Sequence, residues 1–371
     1  MSPDSACLPM RIAPPVLGQS RRVGWAAMTL IAVALGCLTA PARALAHGPV
    51  NPAASSYLAT AHRAPAGLRA IVVDGDQRLW LHVGPRLTVL VLDYRGAPYL
   101  RFTPRGVEVN RSSAMYYSNQ VPAQQPPPGT GPSTRPSWTS VSAGHSYSWH
   151  DGRLHALAAT TLTPGSRYAG AWTIPLRVEG RPATISGGLS YAPNPSVVWF
   201  WPILVTLLCV LAGLRVRRPE LDRRMARALA LAAIVGVAVA GTGEELHGRP
   251  GVADGQYVLL AIVLAFVAWA LQRLLRRQEG WFGYFVIALA AIWEGASLIG
   301  VVTHGFVLIA LPAVQARVAV VVCLGAGAAL LPVVFRLAEV PERTRAAQPA
   351  GAGQPRRALD SEDEEEWDHE L

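Results

Sequence analysis

Between residues 197 and 337 the chain carries five apolar segments, near 197–214, 228–243, 256–272, 281–302 and 317–337. Each is close to the ~20 residues that a helix needs to cross a bilayer. In hydrocarbon every backbone N–H and C=O must be satisfied within the protein, so such segments can only be helices. The connections between them differ in charge. RVRRPELDRRMAR (215–227) holds six Arg and QRLLRRQEG (272–280) holds three. Arginine collects on the cytoplasmic side of membrane spans, which predicts these two loops inside, residues 47–196 outside and the C-terminal tail inside.

The N-terminus reads the same way. Arg21 and Arg22 precede GWAAMTLIAVALGCLTA, and Ala44-Leu45-Ala46 ends the stretch. A basic region, a short apolar run and an A-x-A site make residues 1–46 an expected secretory signal. The four cysteines are Cys7, Cys37, Cys209 and Cys323, so 47–196 has neither a disulfide nor a thiolate metal site. The net charge is +9, and all 33 basic residues are Arg, with no Lys. Topology accounts for much of that charge, and nucleic acid is not an expected partner. The tail, 338–371, ends in DSEDEEEWDHEL and has too little apolar surface to fold, which predicts a disordered acidic segment.

Residues 47–196 read as strands. RAIVVD (69–74), RLWLHV (78–83), RLTVLVLD (86–93), YLRF (99–102) and VEV (107–109) are short and rich in β-branched or aromatic residues, with Gly, Pro and Asp between them. AWTIPLRV and PATISGGLSY flank Glu179-Gly180-Arg181, an expected reverse turn. Strands at this spacing favour an antiparallel sandwich, with a β-barrel as the alternative. The Pro-rich stretch 122–136 cannot join a central ladder. The fold class expected is an extracytoplasmic all-β sandwich followed by an all-α block of five transmembrane helices.

Residues 145–157, HSYSWHDGRLHAL, hold three of the nine histidines. Asp151-Gly152 between alternating runs predicts a two-residue type I′ hairpin. Alternation then puts Tyr147, Trp149, Leu154 and Ala156 towards the core, and Ser148, His150, Arg153 and His155 on the other face. His150 and His155 become diagonal neighbours within reach of one ligand, with Arg153 beside them as an opposing cation. His145 falls at the strand end as a partly buried hydrogen bonder. Cleavage after Ala46 would make His47 the first residue, whose α-amine and imidazole together suit Cu(II). The expected metal ligands are therefore His47, His150 and His155. Six histidines lie in 47–196, and His247 and His304 fall in predicted outer connections.

An exported β-rich domain that begins with His and is fused to membrane spans resembles copper-handling proteins of the CopC and YcnI types. The resemblance covers the leader junction, the β-rich region and the attached spans. It implies a sandwich fold, copper as the bound metal and metal-handling partners, and it carries the first-residue ligand onto His47 alone. Five spans are fewer than the larger CopD-type membrane partner has.

Glu294, inside the fourth span, must face protein or water. With His304, Glu245 and His247 it forms an expected polar set for an ion or proton path, and Glu244 adjoins it. GFVLIALPAV (305–314) is too short to span and reads as re-entrant or interfacial. The chain lacks G-x-S-x-G, H-E-x-x-H, C-x-x-C, Walker and dinucleotide signatures, which points away from an enzyme. The leading expectation is a multi-pass plasma-membrane protein that binds or handles copper outside. The alternatives are an envelope interaction module, whose outer domain has a net charge of +7, and a transporter subunit centred on Glu294.

Overall fold

The computed structural model describes residues 52–120, 123–155, 166–247, 253–277 and 280–346. The expected signal peptide, His47, Ala156 and the acidic end of the tail lie outside the described residues. The chain divides into two compact units. One holds the sheets together with the connections 243–258 and 296–316. The other is helical.

Two antiparallel sheets build the first unit. A three-stranded sheet has the order β3 (Leu68–Val73), β4 (Arg78–Val83), β9 (Ser146–His150). The larger, seven-stranded sheet has the order β2, β11, β10, β5, β6, β7, β8. Its strands are β2 (Tyr57–Arg63), β5 (Val89–Leu92), β6 (Pro98–Thr103), β7 (Gly106–Asn110), β8 (Trp138–Ser142), β10 (Tyr168–Val178) and β11 (Arg181–Tyr191). The sheets share one core and do not close into a barrel. Leu79, Leu81 and Val83 of β4 and Trp149 of β9 pack in the same cluster as Val91, Phe102, Ile174 and Ile185. Alternation does the sorting. In RLWLHV every second residue is buried, while Arg78, Trp80 and His82 take the outer face.

The turns follow local chemistry. Glu179 and Gly180 have φ of 48° and 76° and join β10 to β11 directly, Val178 pairing with Arg181. Both central residues thus take the positive φ that a two-residue hairpin needs. At Gly187 a Cβ would strike the Thr60 carbonyl oxygen and the Trp172 ring, so only glycine lets β2 lie against this part of β11. Residues 123–136 of the Pro-rich stretch contain no strand. A further two-residue strand, β1 (Ala54–Ser55), pairs with β12 (Phe306–Val307). That pairing gives the short apolar segment after His304 an extended, laddered start.

The helical unit draws on α2 (Trp201–Leu214), α3 (Pro219–Glu245), α4 (Ala253–Leu275), α5 (Trp281–Ser297) and α7 (Ala313–Ala346). Two short helices, α1 (Ala114–Ser118) and α6 (Gly300–Thr303), belong to the first unit. Four segments are long and apolar enough to cross a bilayer: Val197–Leu214, Pro219–Glu245, Gln256–Leu275 and Ala313–Glu339. They mark a multi-pass membrane protein. The expected span over 281–302 is shorter than its hydropathy suggested. α5 stops at Ser297 after 17 residues, and α6 follows as a separate turn. Residues 338–346, expected to begin the tail, continue α7 instead, as the helix-forming Ala338 and Glu339 allow. Helices meet through small residues, as is usual in membranes. A Cβ on Gly236 would lie 2.8 Å from Cys323 Sγ, and one on Gly327 would lie 3.0 Å from the Ala288 carbonyl oxygen.

Tyr99 gives the sheet core a pH limit. It is 2% exposed, and burial, then nearby Tyr147 and Asp151, hold its phenol well above the usual value. An unfolded tyrosine ionises near ~10 and the folded one does not, so its contribution is intact below that pH. Stability is lost as pH rises above it, because only the unfolded chain releases the proton. In the detergent-solubilised full chain, Tyr99→Phe is expected to flatten the fall in melting temperature between pH 9 and 11. Equal slopes for both proteins would place the alkaline sensitivity elsewhere.

Candidate functional site

β9 runs antiparallel to β4, pairing Leu79 with Trp149 and Arg78 with His150. Trp149 therefore enters the core and His150 sits at the strand end on the outer parity, half-buried. The backbone then does not reverse into a hairpin. Asp151 (φ −135°) caps a 3₁₀ turn over Gly152–Leu154, and its carboxylate accepts the Arg153 N–H at 3.1 Å. The expected type I′ turn fails for two physical reasons. β9 has its partner in β4, and the apolar Leu154 gains more by returning to the core, where it is fully buried.

Asp151 is fully buried and its two oxygens are well used. Oδ2 accepts from Trp149 Nε1 at 3.0 Å and Arg153 Nη2 at 2.7 Å, and Oδ1 accepts from Arg153 Nε at 2.8 Å. Arg153 also donates to the Leu92 carbonyl at 3.1 Å and lies 5.2 Å from the Tyr94 ring centre. The Tyr94 hydroxyl accepts the Gly152 N–H at 2.7 Å. Its phenol is held above the usual value by partial burial and by the Asp151 carboxylate. Arg153 was expected to stand beside the histidines as an opposing cation. It is instead neutralised by a bidentate pair.

The 3₁₀ turn carries His155 back beside His150. Their Nε2 atoms are 3.4 Å apart and the ring centres 4.9 Å, tilted by 39°. Asp76 Oδ2 lies 3.0 Å from His155 Nδ1. A carboxylate accepts here, so Nδ1 is the ring nitrogen of His155 that donates, and Nε2 is the atom that faces His150. Asp76 belongs to the turn between β3 and β4, where Asp74 and Gly75 have φ of 60° and 80°. A Cβ on Gly75 would lie 2.8 Å from Ser55 Cβ, which sets this turn against β1.

Two further residues hold the site from behind. Asn119, just past α1, accepts the His150 backbone N–H on Oδ1 at 2.9 Å. α1 is anchored by fully buried Met115 and by Ser113, whose Oγ caps the helix and donates to Asp93 Oδ2 at 2.8 Å. Tyr116 packs on the same core. Neither Asp76 nor Asn119 stood out in the sequence. Asp76 had one visible signal, its place in the Asp-Gly-Asp turn between two strong strands. Its pairing with His155 depends on β9 lying beside β4.

The structure thus brings His150 and His155 together, adds Asp76, and leaves His47 outside the described residues. His145 is half-buried at the turn before β9, and its carbonyl accepts the Val83 N–H at 2.9 Å. His62 contacts Thr60 Oγ1 at 3.0 Å, and His82 contacts Ser146 Oγ at 2.8 Å. Of the membrane polar set, Glu294 belongs to the helical unit, beside Gly241, whose Cβ would come 3.1 Å from its Oε1. His304, Glu245 and His247 belong to the connections of the first unit. His304 Nδ1 lies 3.0 Å from Thr303 Oγ1, and the His247 carbonyl accepts from Gln256 Nε2 at 3.1 Å. Among the described residues no group of three His, Cys, Asp or Glu side chains is arranged to hold a metal ion.

Asp151 is the residue whose loss this geometry tolerates least. Asp151→Ala strands the Arg153 guanidinium and Trp149 N–H in the interior, a change that costs about 3–5 kcal/mol when one partner of a buried pair is removed. Thermal unfolding followed by tryptophan fluorescence is expected to register a loss of that size. A change under ~1 kcal/mol would mean that the turn is held by Leu154 alone.

Comparison of the chain with family models, with curated proteins and with solved structures finds no match.

Proposed function

We propose that this is a membrane-tethered protein whose sheet domain, outside the membrane, binds a transition metal at His150 and His155, copper first. The observation that carries the reading is the imidazole pair with a carboxylate behind one ring. Nitrogens 3.4 Å apart subtend roughly 108–116° at an ion ~2.0–2.1 Å from each, the spacing of a tetrahedral or trigonal site. The Asp76 carboxylate on His155 Nδ1 is the usual outer support of a metal-bound histidine, fixing tautomer and ring orientation. Arg153, tied to Asp151, does not oppose a cation there.

Two protein nitrogens are half of a four-ligand shell. His47 as the first residue of a cleaved chain supplies the rest through its amine and ring. Ser55 packs on the turn that holds Asp76. Positions 47 and 55 are eight residue steps apart, which span up to ~26 Å when extended. The helical unit anchors the domain through five spans, the 17-residue α5 included, with both arginine loops and the tail inside the cell.

Copper titrated into the purified full chain is expected to bind with a dissociation constant raised by more than about 100-fold by either His150→Ala or His155→Ala, beyond the ~10–100-fold typical of losing a group that only supports a ligand. Asp76→Asn is expected to weaken binding less, and His62→Ala not at all. Binding releases protons and weakens at acid pH, because both nitrogens must be unprotonated. One added residue before His47 displaces the amine and is expected to act like His47→Ala. Unchanged affinity in both imidazole variants would remove the site.

Orientation has its own test. Single cysteines at positions 150 and 360 are treated with an impermeant label in intact cells. Position 150 is expected to react and position 360 is not. The reverse pattern would invert the topology.

A further inference from the structure

At one end of the helical unit the 215–227 connection meets α7 and the start of α5. Arg336 of α7 pairs with Asp222 Oδ2 at 3.0 Å and donates to the Leu214 carbonyl, which fixes the start of the 215–227 connection against α7. Arg227 hydrogen-bonds Tyr284 in the first turns of α5, which brings the start of α5 to the same end. Arg215, Arg217, Arg218, Arg223 and Arg224 are exposed there. Of the two carboxylates within 215–227, Asp222 is buried and taken by Arg336, which leaves Glu220 as the acidic residue on the exposed surface.

The C-terminus leaves α7 at this same end. Ten residues of helix past Arg336 carry the chain ~15 Å on to Ala346. Residues 347–359 are rich in Ala, Gly and Pro, and residues 360–370 hold eight Asp and Glu. Thirteen residues treated as a flexible chain have an r.m.s. span of about 20 Å, enough to cover the ~15 Å of helix between Arg336 and Ala346. Tethering at such a span gives an effective concentration on the millimolar scale.

We propose that the acidic segment 360–370 folds back onto the arginine surface of 215–227 in its own chain. Charge complementarity, the shared end of the helical unit and the reach of residues 347–359 all select this occupant. The contact is electrostatic and held by exposed groups, so it is weak per pair and sensitive to salt. Anionic lipid headgroups seek the same arginines and compete with the tail for them.

The absence of lysine supplies the test. Arg217→Lys keeps the charge and creates a single side-chain amine in a chain that has none. The full chain, in nanodiscs of neutral phosphatidylcholine, is treated with a carbodiimide, and cross-linked peptides are identified by mass spectrometry. The expected product joins position 217 to residues 360–370. Its yield falls about fivefold or more between 0.05 and 1 M salt, as the screening length shortens from more than 10 Å to about 3 Å. Arg224→Lys is expected to behave alike, and Arg105→Lys in the sheet domain is not.

Coupling confined to Glu220 or Asp222 would overturn the proposal. So would products formed only between copies, read from a mixture of isotopically heavy and light chains. Binding to phosphatidylglycerol vesicles that is unchanged by removal of residues 360–371, together with no coupling in neutral discs, would give the surface to lipid headgroups instead.

Discussion

A single buried carboxylate organises the sheet domain. Asp151 sits where β9 ends, and three neighbours need it: the Trp149 indole, the Arg153 guanidinium and the backbone that opens the 3₁₀ turn. Burying a charge is costly unless it is paired and fully hydrogen-bonded. Here the pairing is with a residue two positions away, so the same bonds that satisfy the charge also bend the chain. The bend returns Leu154 to the core and sets His155 against His150. Packing, turn and site follow from one side chain.

Much of this architecture was legible in the sequence, for reasons particular residues make plain. The strand RLWLHV is found with the bounds that its alternation implies, and Glu179-Gly180 is the reverse turn expected between β10 and β11. The core parity of Tyr147 and Trp149 also reads correctly, because alternation belongs to the strand and needs no partner, whereas Leu154 reaches the core through the 3₁₀ turn. The hairpin at Asp151-Gly152 did not read correctly. A turn dipeptide of that kind reports only the local preference, and whether two strands pair across it depends on what else lies beside them. β4 lies beside β9, and nothing within 145–157 carries that information. The same blind spot hid Asp76, which is 79 residues from His155 in sequence. Strands β2 and β8 were missed because YLATAHR and WTSVS lack strong alternation and are held by their neighbours.

The helical unit is read from composition more easily than from detail. Length and hydropathy locate four crossing segments, and their apolar surface needs no partner of matching shape. What composition does not reveal is where glycine permits close approach. Gly236, Gly241, Gly295 and Gly327 each face an atom that a Cβ would crowd. The carboxylate of Glu294 occupies one of these narrow places, beside Gly241. A polar group at such a contact limits which side chains its neighbours can carry, whatever further role it has.

The pairing of Ala54–Ser55 with Phe306–Val307 has a consequence for how the chain matures. Its partners are separated by about 250 residues, so the ladder closes a very long loop and carries the entropic cost of doing so. Most of the other strand pairs join neighbours in sequence and can form as soon as they are synthesised. β12 is made only after α2 to α5, so β1 waits with its edge unpaired until nearly the whole chain exists. The two-residue ladder is then a seam closed last, and a chain truncated before residue 306 retains the strands of both larger sheets yet leaves that edge open.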